Sequence, residues 1–232
     1  MSETIVRADP SATVVLLREA RDPADGLEAL LLERNWRLGF YGGTWVFPGG
    51  RVEPEDAGIE RDGESLYDLG PAKRAAVRET FEETALTIDE DALTLLSHWT
   101  TPESFSKRFS TYFFAMKAPP GVARADGVEA LSLRYLSSRE ALEMHAEGAL
   151  RLPPPTFVTL LELSRFDRID EALEAFARRE PPRILPRIAQ VEGGAISLYP
   201  GDAGYDALDP ELEGPRHRLV MRGLPFRYER SL

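Results

Sequence analysis

Residues 78–83 read Arg-Glu-Thr-Phe-Glu-Glu. On a helix, Glu79, Glu82 and Glu83 stand at i, i+3 and i+4, so three carboxylates gather on one face. Like charges that close repel, and the arrangement is costly unless a cation sits among them. A hard divalent ion such as Mg²⁺ is the natural occupant, since it takes carboxylate oxygens and commonly bridges to substrate phosphates. The competing reading is a solvated acidic helix face in an acidic protein. The neighbouring residues favour the metal.

Advancing about 100° per residue from Glu79 puts Val77, Phe81 and Ala85 on the opposite side, where an amphipathic helix keeps its buried stripe. Ala72, Ala75 and Ala76 share the acidic face, and their short side chains are expected to leave room for a ligand. Pro71 suits a first helical turn and Gly70 tolerates the turn leading in, so a helix is expected over 71–86. Arg78 is placed to fix the first carboxylate through charge-assisted hydrogen bonds. Upstream, Trp45-Val46-Phe47-Pro48-Gly49-Gly50 reads as a short strand ending in a turn where the backbone approaches something closely.

Together these segments resemble the Nudix box, the signature of the Nudix hydrolase superfamily. Gly50 matches its first glycine, Arg78, Glu79, Glu82 and Glu83 its arginine and three glutamates, and Leu86 its closing apolar position. Asp56 stands where the first glutamate belongs, Thr80 takes an apolar position and Ala85 replaces a glycine. Between Asp56 and Arg78 lie 21 residues where the pattern has seven. The extra residues are polar and glycine-containing, as in a surface loop, and loops lengthen at small entropic cost. The metal-binding helix is left whole.

The interruption, with Leu31-Leu32-Glu33-Arg34-Asn35-Trp36-Arg37-Leu38-Gly39-Phe40 ahead of Gly43, resembles the coenzyme A diphosphatase branch of the superfamily. The resemblance implies an α+β fold, the Nudix α/β/α sandwich with a mixed sheet. It implies Mg²⁺ or Mn²⁺ held by Glu79, Glu82 and Glu83, with the Gly50 carbonyl as a further ligand, polarising phosphoryl oxygens and acidifying a bound water. It also implies cleavage of coenzyme A or acyl-coenzyme A to 3′,5′-ADP and a phosphopantetheine fragment. Another linked nucleoside diphosphate, such as ADP-ribose, NADH or a dinucleoside polyphosphate, is an alternative substrate. A catalytically silent ligand-binding module is the alternative from another class. The proton acceptor is open between Glu79, Glu103 and Glu129. Arginines are expected around an anionic substrate, and Arg34, Arg37 and Arg108 lie near the motif segments, with Lys107 beside them. Phe40, Tyr41 and Phe105 are candidates to stack a base, against ordinary packing. His98, His145 and His217 have no ligand-like spacing.

Composition bounds these readings. The 232 residues suffice for one substantial core. A net charge of −11 argues against a general nucleic-acid or anionic-membrane binder, and the absence of cysteine removes disulfides, thiol catalysis and thiolate metal sites. With no signal-like amino terminus, no long apolar run and a carboxy-terminal Arg-Ser-Leu that is a poor peroxisomal address, a soluble cytoplasmic protein is expected. A homodimer is compatible.

The pattern predicts strands over 12–18 and 27–34 with a turn at Asp25-Gly26. Further strands are expected over 45–47, 93–101, 109–118 and 129–136, and helices over 137–144, 156–163 and 169–178. The core domain is expected to span 1–180. A carboxy-terminal extension, 181–232, is expected to add strands over 183–190, 195–199 and 218–222, packed on the same domain.

Overall fold

The computed structural model describes residues 5–20, 22, 25–37, 41–57 and 65–231. Phe40 and most of the box insertion, 58–64, lie outside the described residues.

The first hairpin joins β1 (Asp9–Glu19) and β2 (Leu27–Arg34), paired antiparallel near the turn through Leu17–Ala29, Arg18–Glu28 and Glu19–Leu27. Gly26 in that turn has φ +68°, a conformation that favours glycine. Away from the turn the two strands take different partners. β3 (Trp45–Val46) pairs with β2 at Leu32 and Glu33, and β4 (Gly49–Arg51) pairs with β1 at Ser11, Ala12 and Thr13. The Trp-Val-Phe-Pro-Gly-Gly segment therefore hydrogen-bonds to both, and Val14 N–H donates to Pro48 O at 2.9 Å. The strand expected over 45–47 is β3, over 45–46, and the expected turn after it carries a second short strand, β4. Pro48, which has no N–H to give a ladder, stands between them.

The helix α1 (Leu69–Thr84) ends at Ala85, whose left-handed φ of 59° stops it two residues before the expected limit. Then come β5 (Thr94–Thr100), β6 (Phe109–Lys117), β7 (Ala130–Ser137), α2 (Ser138–Ala146), α3 (Pro154–Leu163), α4 (Ile169–Arg178) and β8 (Arg183–Ile184). Ser137 caps α2 by accepting from Glu140 N–H at 3.1 Å, one satisfied donor in an otherwise open first turn. β1 through β8 form one mixed sheet. Its main path runs β3-β2-β1-β6-β5-β8, with β4 added to β1 and β7 to β2. β1–β6 and β5–β8 are parallel.

Alternation along the central strands sends side chains to two cores. Val15, Leu17, Ala29 and Leu31 join Trp99, Phe113, Leu160, Ala172 and Phe176 on the face covered by α2, α3 and α4. Ala12, Val14, Leu16 and Leu30 join Phe114, Met116 and the alanines of α1 on the other. This is an α/β/α sandwich. Among the described residues no helix is long and apolar enough to cross a membrane.

The carboxy-terminal segment builds a second, four-stranded antiparallel sheet from β9 (Arg187–Val191), β10 (Gly194–Leu198), β11 (His217–Met221) and β12 (Arg227–Arg230). β12 was not expected, and the single strand over 183–190 is two, β8 in the main sheet and β9 in this one. Tyr199 and Leu219, both fully buried, belong to the larger core, where the Tyr199 ring meets Trp99 edge-on at 5.5 Å.

The polar loop after β10 is pinned by one buried ion pair. Arg218 donates from Nε and Nη2 to the two oxygens of Asp202 at 2.7 and 2.6 Å, and His217 N–H and Gly204 N–H complete the carboxylate's shell. Burial alone would raise the Asp202 pKa, but Arg218 and the two backbone donors outweigh it and hold the group down to about 2. A depressed folded-state value means stability present above the unfolded value near 3.8 and lost as pH falls toward 2. Asp202→Asn is therefore expected to lower the urea midpoint at pH 7, and the gap to wild type should close near pH 2.

Candidate active site

The carboxylates of α1 do not share a solvent face. The helix packs through Pro71, Ala72, Ala75, Ala76, Thr80, Glu83 and Thr84, while Phe81 is 56% exposed and Ala85 is exposed. The expected stripe is corrected: of Val77, Phe81 and Ala85, only Val77 packs partly against the core. The opposite sheet face already carries Leu16, Leu30, Phe114 and Met116, so small side chains let the helix approach closely, and a bulky Phe81 stripe is not needed there. The alanines fill this contact and leave no ligand space on that face.

This packing presses the glutamates onto the β4 turn. Glu83, 4% exposed, accepts from Gly49 N–H at 2.8 Å. Glu79 lies so close to Gly50 that a Cβ there would come within 2.3 Å of its carboxyl group. At Gly49, a Cβ would meet the Ala12 carbonyl at 2.3 Å. Both glycines are dictated by close approach of chain to chain, in one case to a strand and in the other to a carboxylate.

Arg78 organises the rest. Its Nη1 donates to Glu79 at 2.8 Å and to Glu82 at 3.2 Å, and its Nη2 to Asp56 at 2.9 Å and to the Arg51 carbonyl at 2.9 Å. Asp56, 5% exposed, also accepts from Arg78 Nε and from Glu53 N–H. The hydrogen bonds to Asp56 lead in raising the Arg78 pKa above its ordinary value, so the guanidinium stays charged. Asp56 was visible in the sequence only as a departure from the box pattern. Its place six residues after Gly50 was the signal that it belongs to the site.

Burial raises the Glu79 pKa, with Arg78 opposing and Glu82 and Glu129 adding repulsion. Burial pushes Glu83 up to about 8, against the pull of the Gly49 N–H and of Arg34, with Glu79 and Glu129 again repelling. In this conformation no three carboxylates or imidazoles among the described residues converge as a metal cluster. The donor chemistry nevertheless fits a hard divalent cation. It offers oxygen ligands only, carries excess negative charge, and includes a buried carboxylate, Glu83, with no ion-pair partner among the described residues.

Arg34, at the end of β2, acts electrostatically on Glu83, and its Nε is buried with no hydrogen-bond partner among the described residues. Arg37 is exposed, its guanidinium 5.0 Å from the Trp36 ring. Arg108 is a different case. It is 7% exposed and donates to the Thr101 and Val6 carbonyls, so its charge ties strand ends together. Lys107 sits over the Phe109 ring. Of the proposed proton acceptors, Glu129 acts on Glu79 and Glu83, whereas Glu103 acts on Tyr205 beside the second sheet. Tyr41 and Phe105 are 36% and 41% exposed. His98 pairs with Ser110, and His145 and His217 pair with backbone carbonyls.

An α/β/α sandwich that lays a glutamate-bearing helix over a Gly-Gly turn, with arginine holding the acids, is the framework of a hydrolase acting on diphosphates. The model of the NUDIX domain matches residues 8–154, and the chain belongs to the Nudix family as a pyrophosphohydrolase. It is 26% identical to the acyl-coenzyme A diphosphatase NUDT19 of Xenopus laevis, over 83% of this chain and 75% of that one. Among solved structures, a Nudix hydrolase from Alicyclobacillus acidocaldarius superposes with a TM-score of 0.66 at 20% identity, over 76% of this chain and all of that one, a likeness of fold. Nudix hydrolases as a family generally use divalent metals and bind small nucleotide substrates.

Proposed function

We propose that this hydrolase cleaves the diphosphate of coenzyme A or an acyl-coenzyme A, giving 3′,5′-ADP and (acyl)phosphopantetheine. The observation that carries this reading is the similarity to an acyl-coenzyme A diphosphatase across most of both chains. The interrupted box and the 31–50 segment support it.

Glu79, Glu82, Glu83 and the Gly50 carbonyl would hold Mg²⁺ or Mn²⁺. When bound, the ion supplies Lewis-acid polarisation of phosphoryl oxygens and a more acidic water. Arg78, anchored by Asp56 and the Arg51 carbonyl, fixes the orientation of Glu79 before substrate arrives. Glu83 holds the Gly49 N–H and so the shape of the turn. Arg34, whose buried Nε has no partner among the described residues, offers a cation to the diphosphate, and Arg37 offers a second at the rim.

The test is turnover of coenzyme A, acyl-coenzyme A, NADH, ADP-ribose and dinucleoside polyphosphates, each with and without Mg²⁺ or Mn²⁺, with products identified by mass. Metal-dependent release of 3′,5′-ADP is expected, and Glu82→Gln should lose that turnover while staying folded. Faster cleavage of ADP-ribose would overturn the substrate, and no cleavage of any compound would overturn catalysis.

A further inference from the structure

A cavity of about 110 Å³ lies at the seam between the main sheet and the carboxy-terminal one, walled by β5, α3, the link after α4, β8, β11 and β12. One water needs roughly 10–15 Å³ of such space, so there is room for something larger. Apart from Leu96, Ser97 and Trp99 of β5, every wall residue follows position 154, beyond the portion that the NUDIX domain model matches. None of Glu79, Glu82 and Glu83 lines it.

Three polar groups on its walls have hydrogen-bonding capacity to spare. His217 Nδ1 meets the Pro200 carbonyl at 2.7 Å. A carbonyl only accepts, so Nδ1 carries the proton and Nε2 is the bare acceptor of the neutral ring. Burial leads in lowering the His217 pKa, with Arg230 adding to it and the Pro200 carbonyl and Asp202 opposing, which keeps the ring neutral near pH 7. Thr159, 2% exposed, makes no side-chain hydrogen bond among the described residues. Arg230 pairs across the ladder with His217 and lies beside the Tyr228 hydroxyl, and it has no ion pair with a described residue. The acids on the walls do not compete for it. Glu162 is gripped through both oxygens by Arg179, whose Nη2 also donates to the Leu96 carbonyl at 3.2 Å. Glu180 is exposed to solvent.

We infer that this cavity binds inorganic phosphate as a hydrogen phosphate ion, and that the ion clasps the carboxy-terminal sheet to α3. The three groups select it by their chemistry. The planar fork of Arg230 takes phosphate oxygens in pairs. Thr159 donates its hydroxyl proton to another oxygen, and the P–O–H donates to His217 Nε2. Sulfate has a similar shape but no proton to give at neutral pH, and acetate lacks both the proton and the tetrahedral oxygens. Water satisfies a hydroxyl and an imidazole but brings no charge to Arg230. This inference is independent of the reaction proposed above.

The experiment follows thermal unfolding of the full chain near neutral pH in phosphate, sulfate, acetate or chloride of equal ionic strength. It also follows the proton NMR signal of the His217 ring, assigned by its loss in His217→Gln. Expected is a saturating rise of the midpoint with phosphate, roughly 5–10 °C above the sulfate curve at about 100-fold excess over Kd. The His217 signal should shift with the same saturation. Arg230→Gln, at an exposed position, and Thr159→Val should stay folded and lose about 10-fold or more in phosphate affinity. Arg227→Gln, on a neighbouring arginine already paired with Glu229, should bind as wild type. Sulfate or acetate acting as well as phosphate overturns the inference, because excluded anions stabilise folds without a site. A phosphate effect that survives in Arg230→Gln overturns it too, as binding among the glutamates of α1 would. An unmoved His217 signal means a cavity filled by water alone, and overturns it as well.

Discussion

Glu83→Gln is expected to abolish metal-dependent turnover and at the same time to stabilise the metal-free protein at high pH. The two effects share a cause. Glu83 is buried, and its ionised form is disfavoured there, so its pKa in the fold stands at about 8 against 4.5 for the free side chain. Below the lower value both folded and unfolded chains carry the proton and the residue is neutral in the balance. As pH rises, the unfolded chain ionises first, and the fold loses stability progressively until about pH 8, beyond which the penalty is constant. Glutamine never ionises and still offers an oxygen to the Gly49 N–H. The variant should therefore unfold at a higher temperature than wild type at pH 9 without metal, and at nearly the same temperature at pH 4. Added Mg²⁺ should raise the wild-type midpoint and leave the variant unmoved. Loss of the ligand role proposed for Glu83, at several kcal/mol of transition-state stabilisation, corresponds to a kcat lower by roughly 10²–10⁴-fold. A variant destabilised at every pH would contradict the burial argument.

The second large effect is expected at Arg78. Replacement by glutamine leaves Asp56, 5% exposed, with the Glu53 N–H and without its cation. Breaking a buried pair by removing one partner costs about 3–5 kcal/mol, because the remaining charge stays behind. Chemical denaturation should register that loss, and activity should fall by roughly 10–100-fold or more as Glu79 loses its orientation. Arg78→Lys keeps the charge without the planar fork and should fall between. A variant as stable as wild type would contradict the role given to the Arg78–Asp56 contacts.

Much of this architecture was legible in the chain. β2 and α4 run over the residues that periodicity assigned, because an apolar run flanked by turn signals and an amphipathic stretch each fit only one element. The orientation of α1 was not legible from its own sequence. A helical wheel ranks faces by polarity, but the partner surface decided the outcome. A sheet already crowded with leucine, phenylalanine and methionine accepts alanine and expels Phe81. The same blindness hid what Asp56 would meet, since its partner Arg78 lies 22 residues away along the chain. The glycines at 49 and 50 announced a close approach, but not that one would meet a strand and the other a carboxylate. Charge near a motif could not show that Arg108 gives its Nε and Nη1 to the Thr101 and Val6 carbonyls.

The family's own domain covers residues 8–154, yet Phe157, Leu160, Ile169, Phe176, Tyr199 and Leu219 are buried in the same apolar mass as Val15 and Leu17. Trimming the chain to the shared portion would remove α3, α4 and the second sheet, leaving α2 alone over that face of the main sheet. A minimal folded version of this chain is therefore expected to need the segment after residue 154.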